Sequence, residues 1–155
     1  MVVKKLMKTS AIQPAKMLSP WSVKMSWKSY NLIVKDLVKK IKRSDFVPSL
    51  ILYIPKGGAV IGTNLAYIFN CKIYPISEYR KFEIDLPCFA KVLLVDDISD
   101  TGETFNRVIK QLKQKLVSEI KTASLLMRKG SKFKPDFVGK VIEHKKYIDF
   151  PWERI

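Results

Sequence analysis

An α/β domain built on a parallel sheet is the fold class this sequence predicts, and three observations predict it. Short apolar runs of strand length alternate with stretches of helical periodicity. Two of those runs stop abruptly in turn-rich segments, "PKGG" and "DDISDTGET". At 155 residues, 47% hydrophobic and 28% charged, the chain suits one folded domain with a proper core.

Taken in order, residues 1–24 hold five lysines, two prolines and no acid, and read as a loosely ordered basic extension. The apolar stretch there is too short for a secretory signal, and transit peptides favour arginine over lysine. The domain proper is therefore expected over residues 25–155. It opens with a helix in which Trp27, Tyr30, Ile33, Val34, Leu37, Val38 and Ile41 recur at helical spacing, lysines face outward and Ser26 is the N-cap. "SLILYI" after Pro48 is a strand ended by "PKGG", and "AVIGTNLAYIF" is the helix that follows. "KIYPIS" and "KVLLVDD" are the second and third strands, with a helix over residues 104–116 after the latter. "IKTASLLMRK" supplies a fourth strand and "KYIDF" a fifth. Strands alternating with helices imply parallel pairing with right-handed crossovers. Ligands then sit at the carboxyl ends of the strands, where both turn-rich segments fall.

Bulk composition excludes several classes. Two cysteines, Cys71 and Cys88, provide neither a disulfide framework nor a CxxC metal spacing, and read as buried thiols in a reducing compartment, the cytoplasm. No apolar run approaches the roughly 20 residues needed to span a bilayer. Lys and Arg total 29 against 14 acids, for a formal net charge of +15. Such an excess suits a polyphosphate ligand, nucleic acid or simply a solvated surface, but no RNA-binding aromatic signature or helix-turn-helix pattern accompanies it. His144 lies in a charged run and reads as solvated.

Against that charge, "VLLVDDISDTGETF" places three aspartates within five residues at the end of a buried strand. Asp96 and Asp97 suit a vicinal diol or a hydrated Mg²⁺, but strand alternation lets both reach one ligand only if the chain is already turning there. The "DTGET" that follows opens a helix, whose N–H groups and the Thr101 and Thr104 hydroxyls form a phosphate cradle. Gly102 lets that backbone approach closely. Diol and phosphate together describe a ribose 5-phosphate. A Walker B reading fails, because the upstream loop has Gly57 and Gly62 but Thr63 where lysine is required. The plainer alternative is that Asp100 is an N-cap and the other acids solvate a loop.

The same residues resemble the phosphoribosyl-diphosphate signature of type I phosphoribosyltransferases. "YIPKGG", "ASLLMRKGSKFKPDFVG" and "KYIDFPWE" resemble the pyrophosphate loop, base-side strand and purine clamp of the hypoxanthine, guanine and xanthine branch. The resemblance spans residues 27–153. It implies a single-domain fold, a central parallel sheet flanked by helices with a small hood from the C-terminal segment. It also implies transfer of ribose 5-phosphate from phosphoribosyl diphosphate to a 6-oxopurine, with Mg²⁺, in a cytoplasmic homo-oligomer (dimer or tetramer). By resemblance, Asp96 and Asp97 hold the ribose hydroxyls and share Mg²⁺, and Glu153 lies near a second metal. Asp100 manages the proton at purine N7, while Ser99, Thr101, Gly102, Glu103 and Thr104 belong to the 5′-phosphate loop. Lys56, Gly57 and Gly58 contact pyrophosphate, often with a cis peptide before the lysine. Tyr147 stacks on the base, the Ile148 carbonyl reads its 2-position, and either Arg128 or Lys129 donates to O6.

One segment departs from the family pattern. "SEYRKFEIDLPCFAK" has Glu78-Tyr79 where a Ser-Tyr pair is expected in a mobile lid, and only 11 residues separate Tyr79 from Lys91. A lid excludes water from the reacting centre, so a short one implies slow turnover or completion by a partner subunit. The alternative function is a non-catalytic phosphoribosyl-diphosphate or nucleotide-binding regulator, with nucleic acid as its partner through the basic surface.

Overall fold

The computed structural model describes residues 21–76, 86–115 and 117–154. Residues 1–20 of the expected extension, and Glu78 and Tyr79 of the expected lid, lie outside the described residues. Five strands form one parallel sheet in the order β3–β2–β4–β5–β6: β2 (Leu50–Tyr53), β3 (Lys72–Pro75), β4 (Ala90–Ser99), β5 (Val117–Arg128) and β6 (Phe137–Ile142). Helices α1 (Trp27–Arg43) and α2 (Gly58–Phe69) cover one face, and α3 (Glu103–Leu112) covers the other.

Strand alternation divides the apolar runs between the two faces. Ile51, Leu93, Val95, Ala123 and Leu125 meet Val34, Leu37 and Ile41 of α1 and Ile61 and Leu65 of α2. Leu50, Leu52, Val92 and Leu94 meet Phe105, Val108 and Leu112 of α3. Burial on both faces explains why "LILY" and "VLLV" are continuously apolar instead of alternating. Helix α1 begins as its sequence predicts, the Ser26 hydroxyl accepting from the Ser29 amide at 3.1 Å.

The chain leaves β2 toward β3 on one side and leaves β4 toward β5 on the other. The strand order therefore reverses between β2 and β4, the topological switch point at which open α/β sheets form a crevice.

Several expectations need correction. The fifth strand of the main sheet is β6, "FVGKVI", not "KYIDF". The latter contributes β7 (Tyr147–Asp149), which pairs in parallel with β1 (Ser22–Lys24) in a separate two-stranded sheet, the C-terminal hood. Residues 21–24, assigned from sequence to the loose extension, thus belong to the folded unit: Tyr147 N donates to Trp21 O at 3.2 Å, and Met25 N to Asp149 O at 3.0 Å. Arg154 ties this corner down, donating to the Met25 carbonyl and lying 3.6 Å from the buried Asp149 carboxylate. The helix expected over 104–116 ends at Leu112. Neither cysteine is buried; Cys71 is half-buried and Cys88 exposed. His144 is half-buried rather than solvated, and its Nδ1 is buried without a hydrogen-bond partner.

Candidate active site

Strand β4 outruns β2. Their register ends at Tyr53↔Val95, while β4 continues against β5 as far as Ser99↔Met127. Asp96 and Asp97 therefore stand beyond the end of β2, and both line one cleft although the chain has not turned. The expected turn at the acid pair is replaced by this overhang, which opens both faces of β4 to the same space.

The cleft encloses about 530 Å³ and is lined by Ile54, Pro55, Lys56, Gly57, Asp96, Asp97, Thr104, Trp152 and Glu153. The Pro55–Lys56 peptide is cis, as the resemblance implies. Gly57 and Gly58 are required by crowding. A Cβ on Gly57 would fall 2.1 Å from Asp97 Oδ2, and one on Gly58 would fall 2.6 Å from the Val95 carbonyl oxygen. Burial pushes the Asp97 carboxyl up to about 6, with the Glu153 charge adding to the rise and hydrogen bonding to Asp96 and Ile98 opposing it. The Asp97 amide donates to Asp96 Oδ1 at 2.9 Å, orienting the first carboxylate.

Beyond Ser99 the chain turns into α3 through Gly102, whose φ of +83° is left-handed and which is the N-cap position, so Asp100 is not a cap. A Cβ on Gly102 would also meet Phe133 Cβ at 2.0 Å. Its role is thus to let the connection after β5 close over the loop, in addition to freeing backbone N–H groups. That connection is held by Ser99, which is 1% exposed and shares its hydroxyl with Ser131 Oγ and the Phe133 carbonyl, each at 3.3 Å. The Ser99 side chain supports the loop instead of facing a ligand. Phe133 stacks on Phe105 of α3 with ring centres 5.0 Å apart.

Asp100 is exposed, with its carboxylate 3.0 Å from Arg128 Nε. Arg128, at the end of β5, turns inward and donates to the His144 carbonyl at 2.5 Å and the Lys146 carbonyl at 3.1 Å. Lys129 turns outward to Glu143 at 2.7 Å. Register therefore decides between the two in favour of Arg128 as the residue on the Asp100 side.

In the hood, Tyr147 donates its hydroxyl to both Glu153 oxygens, at 2.9 and 2.8 Å. Burial, reinforced by that carboxylate, pushes the Tyr147 phenol up to about 12. Strand β7 turns the backbone groups of Tyr147 and Asp149 toward β1. Alternation leaves the Ile148 carbonyl on the other side, while its side chain enters the core. Trp152 is a lining residue that sequence reasoning missed. It stacks on Phe150 with centres 4.6 Å apart and adjoins Tyr30 and Trp27. Its only signal was an aromatic directly before Glu153 in "PWE".

The chain is similar to known proteins in keeping with this geometry. The phosphoribosyl transferase domain family matches residues 77–154, half of the chain. The hypoxanthine-guanine phosphoribosyltransferase of Mus spretus is 39% identical over 62 residues, 38% of this chain and 29% of that enzyme's length. Among solved structures, a purine phosphoribosyltransferase from Pyrococcus horikoshii is 28% identical with a TM-score of 0.72, over 86% of this chain and 95% of that one. The Helicobacter pylori xanthine-guanine-hypoxanthine phosphoribosyltransferase is 25% identical with a TM-score of 0.75, over 85% and 92%. With an acid-ended β4 at the switch point of a five-stranded parallel sheet, and a family match over half its length, this chain belongs to the phosphoribosyl transferase domain family.

Proposed function

We propose that this protein is a 6-oxopurine phosphoribosyltransferase of purine salvage. It transfers ribose 5-phosphate from phosphoribosyl diphosphate to a purine base, yielding the nucleoside 5′-monophosphate and pyrophosphate. The observation that carries this reading is the shared cleft of Lys56, Gly57, Asp96, Asp97 and Thr104, with Glu153 facing it from the hood. A ligand with a diol between two phosphate-bearing ends matches that order of groups.

In this reading Lys56 and the Gly57 amide bind pyrophosphate, Gly58 lets the loop pack against β4 while its own amide donates to the Ile54 carbonyl at 2.9 Å, and Asp96 and Asp97 accept from the ribose hydroxyls. The start of α3, with Thr101, Gly102, Glu103 and Thr104, binds the 5′-phosphate through N–H groups and hydroxyls. Asp100 accepts the proton released at N7 as N9 bonds to C1′ and the C1′–pyrophosphate bond breaks. Arg128 retains N–H groups for O6, Tyr147 stacks on the ring and the Ile148 carbonyl accepts at the 2-position.

Mg²⁺ fits the donor set. Asp96, Asp97 and Glu153 offer only hard oxygen donors, and Asp97 and Glu153 repel each other across the cleft. These three carboxylates line the cleft without closing into a metal site of their own among the described residues, and in this reading the ion would be shared with substrate phosphates. When bound, it would neutralise phosphate charge. We place the reaction in the cytoplasm, in keeping with free thiols at Cys71 and Cys88, and in a homo-oligomer.

The test is turnover of purified protein with phosphoribosyl diphosphate, Mg²⁺ and hypoxanthine, guanine or xanthine in turn. Monophosphate and pyrophosphate should appear in equal amounts. Asp100→Asn should lower kcat by about 10²–10⁴, the usual contribution of a positioned acid–base group, while phosphoribosyl diphosphate still binds. No product from any of the three bases would replace the enzyme with a binding-only regulator.

A further inference from the structure

The Arg128 guanidinium reaches three partners in two separate parts of the fold. Its Nε lies 3.0 Å from Asp100 in the β4–α3 loop, and its two terminal nitrogens donate to the carbonyls of His144 and Lys146 in the β6–β7 connection. We propose that Arg128 is a positioning residue that fixes Asp100 to this connection, so that the proton-accepting carboxylate and the Tyr147 ring meet the base as one preassembled unit. The proposal rests on the function proposed above.

The root of the guanidinium is rigid. Arg128 pairs with Ile142 of β6, the neighbouring Lys129 amide donates to Ile142 O at 2.8 Å, and Met127 pairs with Ser99 of β4. The side chain is 15% exposed, against 68% for Lys129. Asp100, by contrast, is 63% exposed and lies just past the end of β4, where no sheet ladder holds it. Its orientation depends on the ion pair. Lys146 immediately precedes Tyr147, so holding its carbonyl also sets where β7 begins.

Only an arginine meets this geometry. Its planar fork presents five donors in fixed directions, whereas an ammonium is a point charge that cannot span an anion and two separated carbonyls. Three of the five N–H groups are engaged, which leaves others for the base. Losing the fork would leave phosphate binding alone and let Asp100 and Tyr147 move independently. A displacement of about 1 Å in a reacting group can cost about 10²-fold in rate.

The experiment compares Arg128→Lys and Arg128→Gln, each alone and combined with Asp100→Asn, in the full chain. Melting temperature and calorimetric affinity for phosphoribosyl diphosphate should stay at wild-type values. Arg128→Gln should lower kcat by about 10²-fold and raise the base KM, leaving the phosphoribosyl diphosphate KM unchanged. Arg128→Lys, which keeps the charge but not the fork, should restore only a small part of kcat. In the Asp100→Asn background Arg128→Gln should lower kcat no further while still raising the base KM, because its effect on kcat runs through that carboxylate and its contacts with the base and the β7 start show in KM. Independent, multiplying kcat losses in the double variant, or full rescue by lysine, would overturn the proposal while leaving the enzyme reading intact. If Arg128→Gln melts early, the lysine variant carries the comparison. No product from the wild type would bring down the enzyme reading, and this proposal with it.

Discussion

On the function proposed here, the phosphate half of the cleft is built from two contiguous loops, whereas the base half is collected from three distant segments. Residues 54–58 and 96–104 each continue directly from a central strand, and β2 and β4 are hydrogen-bonded neighbours in register. Their positions follow from the sheet itself. The base half combines Arg128 and residues 144–148 with Asp100, which it shares with the second of those loops, joined by one guanidinium and by the small β1–β7 sheet. If the proposed assignment holds, a site made this way lets the two substrates be perturbed separately. Changes at the strand ends should strike phosphoribosyl diphosphate, and changes in the hood or at Arg128 should strike the base.

The largest effect should come from breaking the phosphate half at its acids. Replacing Asp96 and Asp97 together by Asn should remove the charge proposed to hold the metal and diol, a loss of about 2–5 kcal/mol for a desolvated charge contact, or at least roughly 30-fold in affinity. Calorimetry with Mg²⁺ and phosphoribosyl diphosphate reads this directly. Unchanged affinity in the double variant would refute the assignment of the cleft.

Gly102 lies on the seam between the halves, so Gly102→Ala sharpens the comparison. The residue is left-handed, and a Cβ would strike Phe133 on the base-side connection. A left-handed alanine costs about 1–2 kcal/mol and overpacking a further 1–3 kcal/mol. Denaturant unfolding should show a loss in that range, and both substrates should bind more weakly. A variant that weakened only one would show that the seam does not couple the halves.

The smallest effect concerns Asp97 and is a gain. Its carboxyl is raised from 3.8 to about 6 in the folded protein, so the folded state binds the proton more tightly than the unfolded chain. The resulting penalty on folding is absent below the unfolded value, grows as pH rises toward 6 and is complete above it. Asp97→Asn should therefore raise stability at neutral pH by on the order of 1–2 kcal/mol, after allowing for partial exposure, and the gain should vanish as pH falls toward 4. Thermal melts of both proteins across that range test it, and a gain that persists in acid would assign the effect elsewhere. Such a destabilising carboxylate is typical where function has been favoured over stability.

How far the sequence could be read depended on how local each feature is. Helix α1 and its Ser26 cap were legible because periodicity and capping act within a few residues. So were β2, β4 and the loops after them, since an apolar run stopped by "PKGG" or "DDISDTGET" needs no partner to be recognised. Strand β6 was missed because its glycine and lysine break the apolar signal: Gly139 packs beneath Ile33, and Lys140 is exposed. Strand β1 was missed because three residues carry no period, and its partner lies more than a hundred positions away.

The sequence by itself determined the α/β class, the acid-ended strand, the phosphate loops and the resemblance that named their roles. It did so because strand, turn and helix-start chemistry is written in adjacent residues. Only the tertiary structure decided that Asp96 and Asp97 share a cleft without a turn, since that depends on β4 outrunning β2. It also decided that Arg128 rather than Lys129 faces Asp100, and that the Ser99 hydroxyl supports the loop from below. Those outcomes follow from register and from the meeting of segments distant in the chain, and a one-residue slip in either would turn every one of these side chains to the opposite face.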